Sequence, residues 1–251
     1  MILTNKKRLP EPIFRAILAM WGKYEEGDHG DISTTRLIKP PQIVALEKKY
    51  GSKLETDAVD CLFALQGQIL HMMLQMSAPE DHQTEKRVGS MFKGWKVTGQ
   101  YDLITPERTL IDYKYTNVWS YVYPKKEYEE QANVNRLLLH RNGEEIKKLE
   151  NWLMFRDFSK SKAGDGKYPK EMILKIELPM WDLNATEEFI EERVKLHQVA
   201  QKCATDEILA AMLHCSEEER WFNKRAGKYN RCEDYCTAGA NGLCKQFKGE
   251  G

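Results

Sequence analysis

Asp102, Asp112 and Lys114 are the residues whose types and spacing point most directly to chemistry. Asp102 lies in Val97-Thr98-Gly99-Gln100-Tyr101-Asp102-Leu103-Ile104, and the other two in Thr109-Leu110-Ile111-Asp112-Tyr113-Lys114-Tyr115. Both stretches alternate apolar and polar residues and are rich in β-branched and aromatic side chains, and Thr105-Pro106-Glu107-Arg108 between them reads as a turn. This pattern predicts a β-hairpin that sets the two carboxylates on neighbouring strands, within reach of one ion. Two adjacent carboxylates repel unless a cation separates them, and hard oxygen ligands suit Mg²⁺ or Mn²⁺. Lys114 is two residues beyond Asp112 and shares its strand face. Such a group could activate water and offset charge on a phosphodiester. The hairpin alone also admits a plainer reading, a strand-end Asp102 and a solvated Asp112/Lys114 surface pair.

The elements that would position these groups can be read from periodicity. A helix is expected from about Glu55 to Met76, with Leu62, Leu65, Ile69, Met72, Met73 and Met76 as its apolar stripe and His71 beside it. On its own residues, that histidine reads as a packed, hydrogen-bonded one. Glu85–Phe92 starts the sheet, and Trp119, Tyr121 and Tyr123 alternate as a strand would. The three aromatics suit one buried sheet face, or stacking on exposed bases. Lys125–His140 reads as a helix with Gln131 at its middle, where it can turn toward the hairpin. Strands follow at residues 152–158 and 172–178, separated by a Ser/Lys/Gly loop at 159–167, and a long charged helix at about 186–213 carries His197 on its inner face. Shorter helices are expected at 11–22, 32–38 and 42–50. Helix, strand, hairpin, helix, strand makes a mixed α/β (α+β) sandwich and not a run of βαβ units. The organisation expected is a helical N-terminal segment (1–53), a core (54–185), and a long helix with a cysteine module (186–251), in one compact unit overall.

Lys plus Arg equals Asp plus Glu at 38 each, so net charge gives no sign of a nucleic-acid partner and any such contact must be local. No apolar run is long enough to span a bilayer, and the basic first ten residues lack the apolar core of a signal peptide, so no membrane association is expected. Of six cysteines, Cys232-x3-Cys236-x7-Cys244 crowd a short polar tail with no apolar core of its own, where a bound metal would explain folding. Three thiols leave a fourth ligand to be found. Cys61 and Cys203, on helical apolar faces, read as buried thiols.

Gly67-x-x-x-His71, Gly99-x-x-Asp102, Asp112-x-Lys114 and Gln131, in that order, resemble the PD-(D/E)XK nuclease superfamily in its RecB-like branch, as found in phage-encoded nucleases and CRISPR-associated adaptation exonucleases. Residues 33–41 and 156–162 also look like segments of the phage group, so the resemblance covers most of the chain. It implies a restriction-endonuclease-like core with a central mixed sheet flanked by helices. It also implies that His71, Asp102, Asp112 and the backbone carbonyl of Tyr113 bind Mg²⁺ or Mn²⁺. Lys114 would orient the attacking water or steady the oxyanion, and Gln131 would position Lys114 or DNA. Asp112 stands where Glu is commoner, and Asn135 where the family often has Tyr.

The segments opening at Cys215 and at Arg231 look like the phage group's C-terminal cysteine module, which makes Cys215 the fourth ligand beside Cys232, Cys236 and Cys244. Four thiolates suit a [4Fe–4S] cluster or Zn²⁺ equally by spacing, and the resemblance favours the cluster. The implied function is a metal-dependent deoxyribonuclease, an exonuclease of phage-type recombination, repair or replication. Its partners would be single-stranded DNA or DNA ends and recombination or replication proteins, in a bacterial or phage-infected cytoplasm. The competing classes are a non-catalytic DNA-binding or assembly module on the same fold and a zinc-stapled nucleic-acid reader.

Overall fold

Period-two alternation becomes strand and apolar spacing of three and four becomes helix along most of the chain. The computed structural model describes residues 2–25, 30–224 and 226–248. The chain opens with β1 (Ile2–Thr4), α1 (Glu11–Glu25), β2 (Ile32–Ser33), α2 (Thr34–Leu37), α3 (Pro41–Tyr50), β3 (Glu55–Asp57) and α4 (Leu62–Met76). Its middle holds β4 (Gln83–Thr84), β5 (Arg87–Phe92), β6 (Trp95–Gln100), β7 (Leu103–Ile104), β8 (Thr109–Thr116), α5 (Trp119–Val122), α6 (Lys126–Arg141), β9 (Lys148–Phe155) and β10 (Ile173–Leu178). It ends with α7 (Leu183–Lys202), α8 (Asp206–Met212), α9 (Glu217–Arg220), β11 (Phe222–Asn223), β12 (Lys228–Tyr229), a π-helical turn (Arg231–Tyr235), α10 (Thr237–Ala240) and α11 (Lys245–Lys248). The fold is mixed α/β, with mixed sheets flanked by helices. No helix among the described residues is long and apolar enough to cross a membrane.

Two compact units are present: Gly27–Ile38 with Phe63–Ile190, and Met1–Glu26 with Lys39–Leu62 and Glu191–Gly251. In the first, a five-stranded sheet runs in the order β10-β9-β8-β7-β4. β8 and β9 are parallel and the remaining pairs antiparallel. A parallel pair needs a crossover, and α6 supplies it. The core beneath α6 gathers Tyr101, Ile104, Leu110, Ala132, Leu139, Ile146 and Leu149. A three-stranded sheet, β2-β6-β5, completes this unit. In the second unit β1 and β3 pair in parallel, and Ile43, Leu46, Ala200 and Leu209 pack against Cys215, Cys236, Ala238 and Cys244.

Local structure departs from the periodicity in four places. The stretch Val97–Ile104 is not one strand: β6 belongs to the three-stranded sheet and β7 to the five-stranded one. The chain changes sheets at Tyr101, whose ring is buried and whose amide bonds the Lys86 carbonyl. The helix expected from Glu55 begins only at Leu62, because Glu55–Asp57 pair with β1 and Asp57 then caps a 3₁₀ turn by accepting from the Val59 amide. Trp119–Tyr123 is not a strand, because Ser120 bonds back to Thr116 and Asn117 and winds the segment into a helical turn. The long C-terminal helix breaks after Lys202 and restarts at Asp206, where the Thr205 hydroxyl accepts from the Ile208 amide.

Gly99 marks how tightly α6 sits on the sheet. A Cβ there would lie 2.2 Å from Asn135 Oδ1, 2.8 Å from Thr34 Oγ1 and 3.1 Å from Leu138 Cδ1. Asn135 is buried and accepts a 2.9 Å hydrogen bond from Thr34. Gly99→Ala is therefore expected to lower unfolding free energy by about 1–3 kcal/mol, the usual cost of overpacking, read from denaturant midpoints. An unchanged midpoint would show that α6 can shift freely.

Candidate active site

β8 builds the site because its pleat sends Leu110, Asp112, Lys114 and Thr116 to one face. Across the antiparallel register Leu103 faces Ile111, and Asp102, the residue before β7, carries the pairing one step further toward Asp112. Asp102 Oδ2 accepts a 2.7 Å hydrogen bond from the Tyr113 amide, which fixes the carboxylate on the β8 backbone. From α4, His71 reaches the same oxygen, with Nδ1 3.4 Å from Asp102 Oδ2, and its ring meets Tyr113 edge-on. The hydrogen bond to Asp102 raises the His71 pKa against the opposing effect of burial, and the Asp102 charge adds to it.

The second half of the site lies under α6. Lys114 Nζ stands 2.7 Å from Asp112 Oδ2 and donates at 2.8 Å to Gln131 Oε1, while Gln131 Nε2 donates at 3.3 Å to Asp112 Oδ1. The Tyr128 ring lies 5.1 Å from the same ammonium. Burial pushes the Asp112 carboxyl upward, Asp102 adds to that push and Lys114 opposes it. Lys114 is also raised: burial favours its neutral form, but the Asp112 charge and hydrogen bond outweigh that. The ammonium is thus held charged beside a carboxylate that burial alone would protonate.

All the residues expected from the sequence to form this site belong to one unit, and the structure brings His71, Asp102, Asp112, Lys114, Gln131 and Tyr113 together. Two further residues join them. Glu85 offers a carboxylate oxygen within 4.8 Å of the ligand atoms of His71 and Asp102. Its backbone is left-handed, with φ of 48°, and its amide bonds the Asp102 carbonyl at 3.2 Å. A non-glycine residue in that region carries strain, which clusters at functional sites. Burial, with Asp102 nearby, raises the Glu85 pKa. No periodic signal announces Glu85, since it sits in a turn between short strands. Asn151 pairs in register with Asp112, is 1 % exposed, and has no hydrogen-bond partner among the described residues at either end of its amide. Its signal in the sequence is a polar residue on the otherwise apolar face Leu149, Leu153, Phe155.

These donors fit a hard divalent cation. Asp112 Oδ2 is buried, with the Lys114 ammonium 2.7 Å away. His71, Glu85 and Asp102 offer an imidazole and two carboxylates within 4.8 Å of one another, ligand types that Mg²⁺ and Mn²⁺ accept, the imidazole favouring Mn²⁺.

In the other unit, Cys215, Cys232, Cys236 and Cys244 line one pocket together with Arg220 and Arg231. Burial pushes the thiols of Cys215, Cys236 and Cys244 upward. Arg220 is buried and lies over the Tyr229 ring at 3.4 Å, while Arg231 lies over Trp221 at 4.0 Å. No three of these sulfurs lie within 4.8 Å of one another among the described residues. Cys61 is buried and Cys203 half-buried; neither lines the pocket.

No family model and no curated protein matches this chain. Among solved structures, SSO0001 is similar, with a TM-score of 0.58 and 17 % identity over 94 % of this chain and 95 % of that one. That likeness shows a shared fold. A phage-related exonuclease from Haemophilus somnus 129PT matches at a TM-score of 0.31 and 13 % identity, over 76 % of this chain and 82 % of that one. A likeness so loose carries no weight below.

Calorimetric titration with Mn²⁺ tests the ligand set directly. Loss of even an outer partner commonly costs ~10-fold in metal affinity, so Asp102→Asn, His71→Ala and Glu85→Gln are each expected to weaken binding by at least that much. Undiminished binding in Glu85→Gln would remove Glu85 from the set.

Proposed function

We propose that this protein is a metal-dependent deoxyribonuclease of PD-(D/E)XK type, RecB-like branch, hydrolysing phosphodiester bonds as an exonuclease of phage-type DNA recombination, repair or replication. The observation that supports this reading most strongly is the convergence of Asp102, Asp112 and Lys114 beside His71, two acids and an amine facing one space with an imidazole at its edge. His71, Asp102 and Asp112, with the Tyr113 carbonyl, would hold Mg²⁺ or Mn²⁺. When bound, that ion supplies Lewis-acid polarisation of a phosphoryl oxygen and lowers the pKa of a coordinated water.

The chain's own residues account for the remaining chemistry. Lys114, kept protonated by Asp112, offers a fixed positive charge to the phosphoryl oxygens as negative charge builds on them. Gln131 holds the ammonium in place through its Oε1 and grips Asp112 through its Nε2, so the donor needs no reorganisation when the scissile group arrives. Charge on Asp112 is tolerated because Lys114 and Gln131 both contact it.

The cysteine pocket is read as structural, with Cys215, Cys232, Cys236 and Cys244 ligating a [4Fe–4S] cluster. Arg220 and Arg231, which line the same pocket, suit the negative charge of a thiolate-bound cluster. Cluster ligation would tie the C-terminal segment to the core of its own unit.

Two experiments test these assignments. With end-labelled DNA and Mg²⁺ or Mn²⁺, Asp112→Ala and Lys114→Ala are each expected to lose at least ~100-fold in rate, the scale set by removing one transition-state donor. Activity equal to the unsubstituted protein would overturn the site. Anaerobically purified protein is expected to show a broad visible charge-transfer band and to contain iron and sulfide, both lost in Cys215→Ser. A colourless, zinc-loaded protein would overturn the cofactor.

A further inference from the structure

Trp119 and Tyr123 remain unexplained by the core or by the chemistry. They flank α5, the single helical turn that follows directly on the strand bearing Asp112 and Lys114. Their rings stack on each other, with centroids 6.2 Å apart and planes at 22°, and they are 58 % and 69 % exposed. The rest of the turn is anchored. Val118 is buried and its amide donates to Asp157 Oδ1 at 2.8 Å; Ser120 bonds Thr116 at 2.7 Å; Tyr121 packs edge-on against buried Phe155. The turn therefore packs its third aromatic edge-on against the core and holds this pair outward on an anchored base.

Cations lie on the segments that adjoin the turn. Lys125, two residues past Tyr123, lies 5.8 Å from the Tyr128 ring, whose centroid is also 5.1 Å from Lys114 Nζ. Arg156 bonds the Thr116 carbonyl through its amide at 2.9 Å and sets its guanidinium 3.8 Å over the exposed Phe63 ring. Trp119 is five positions after Lys114, at most about 18 Å of fully extended chain.

An exposed aromatic stack on an anchored turn, with cations on the adjoining segments, is what unpaired bases and their phosphates require. Duplex bases are stacked on one another and offer no free face to such a pair. We infer that Trp119 and Tyr123 form a base-stacking platform for single-stranded DNA, which leads an unpaired strand past Lys125 to the Asp112/Lys114 site. This deepens the nuclease reading and rests on it.

The test is fluorescence anisotropy in EDTA, which separates binding from cleavage, using labelled oligo-dT, oligo-rU and a blunt duplex of equal length. Stacking contributes about 1–3 kcal/mol per base, so Trp119→Ala/Tyr123→Ala is expected to weaken oligo-dT binding at least ~5-fold while duplex binding changes little. Trp119→Phe/Tyr123→Phe, which keeps both π-faces, is expected to restore most of the affinity. Unchanged oligo-dT affinity in the double-alanine variant would overturn the platform, as would equal loss for duplex or loss confined to oligo-rU. Hydrolysis of bis(p-nitrophenyl) phosphate by the unsubstituted protein with Mn²⁺ judges the nuclease reading separately. If that diester is cleaved and oligo-dT binding survives the alanines, the platform alone fails.

Discussion

The pairing of Asp112 with Lys114 under α6 is the constraint on which the arrangement depends. Both side chains are more than four-fifths withdrawn from solvent. Breaking such a pair by removing one partner commonly costs about 3–5 kcal/mol, because the survivor is left as an uncompensated buried charge. The pair persists here because Gln131 reaches both members from the helix above. That contact in turn requires the close seat of α6 on the sheet, and the hydrogen-bonded Thr34 and Asn135 next to Gly99 fill the space a bulkier residue would need. Charge at the centre and packing at the periphery are thus one problem with one solution.

The Asp102 side of the site follows a different logic. Its carboxylate is fixed by a backbone amide of the neighbouring strand and not by a cation. Around it gather His71 from a helix and Glu85 from a strained turn. In the proposed nuclease the two halves would do distinct work: His71, Asp102 and Asp112, with Glu85 beside them, would hold the divalent ion, while Lys114, held by Gln131, would supply a fixed positive charge.

Much of this was legible in the sequence because it depends on short-range order. Asp112 and Lys114 share a face by the pleat of a single strand, and Gln131 falls on the helix that any parallel β8/β9 crossover must lay above them. The mixed α/β class follows from the same periodicities. What escaped was set by tertiary context. Glu85 enters through a turn whose left-handed backbone no pattern encodes. Trp119 and Tyr123 alternate like strand residues, yet the Ser120 hydroxyl's bond to Thr116 and its amide's bond to Asn117 Oδ1 wind the segment into a helical turn and leave them exposed. Of the apolar stripe of α4, Ile69, Met72, Met73 and Met76 stand exposed, since hydrophobic spacing states a preference for burial without supplying a partner.

The central claim is that His71, Asp102 and Asp112 share one hard cation beside Lys114. Anomalous diffraction from a crystal soaked in Mn²⁺ tests it most directly. The account predicts a single strong peak within bonding distance of Asp102 and Asp112 oxygens and an imidazole nitrogen of His71, with Lys114 Nζ beside the ion but not bonded to it. No peak there, or manganese bound elsewhere with Asp112 and Lys114 unaltered, would contradict it.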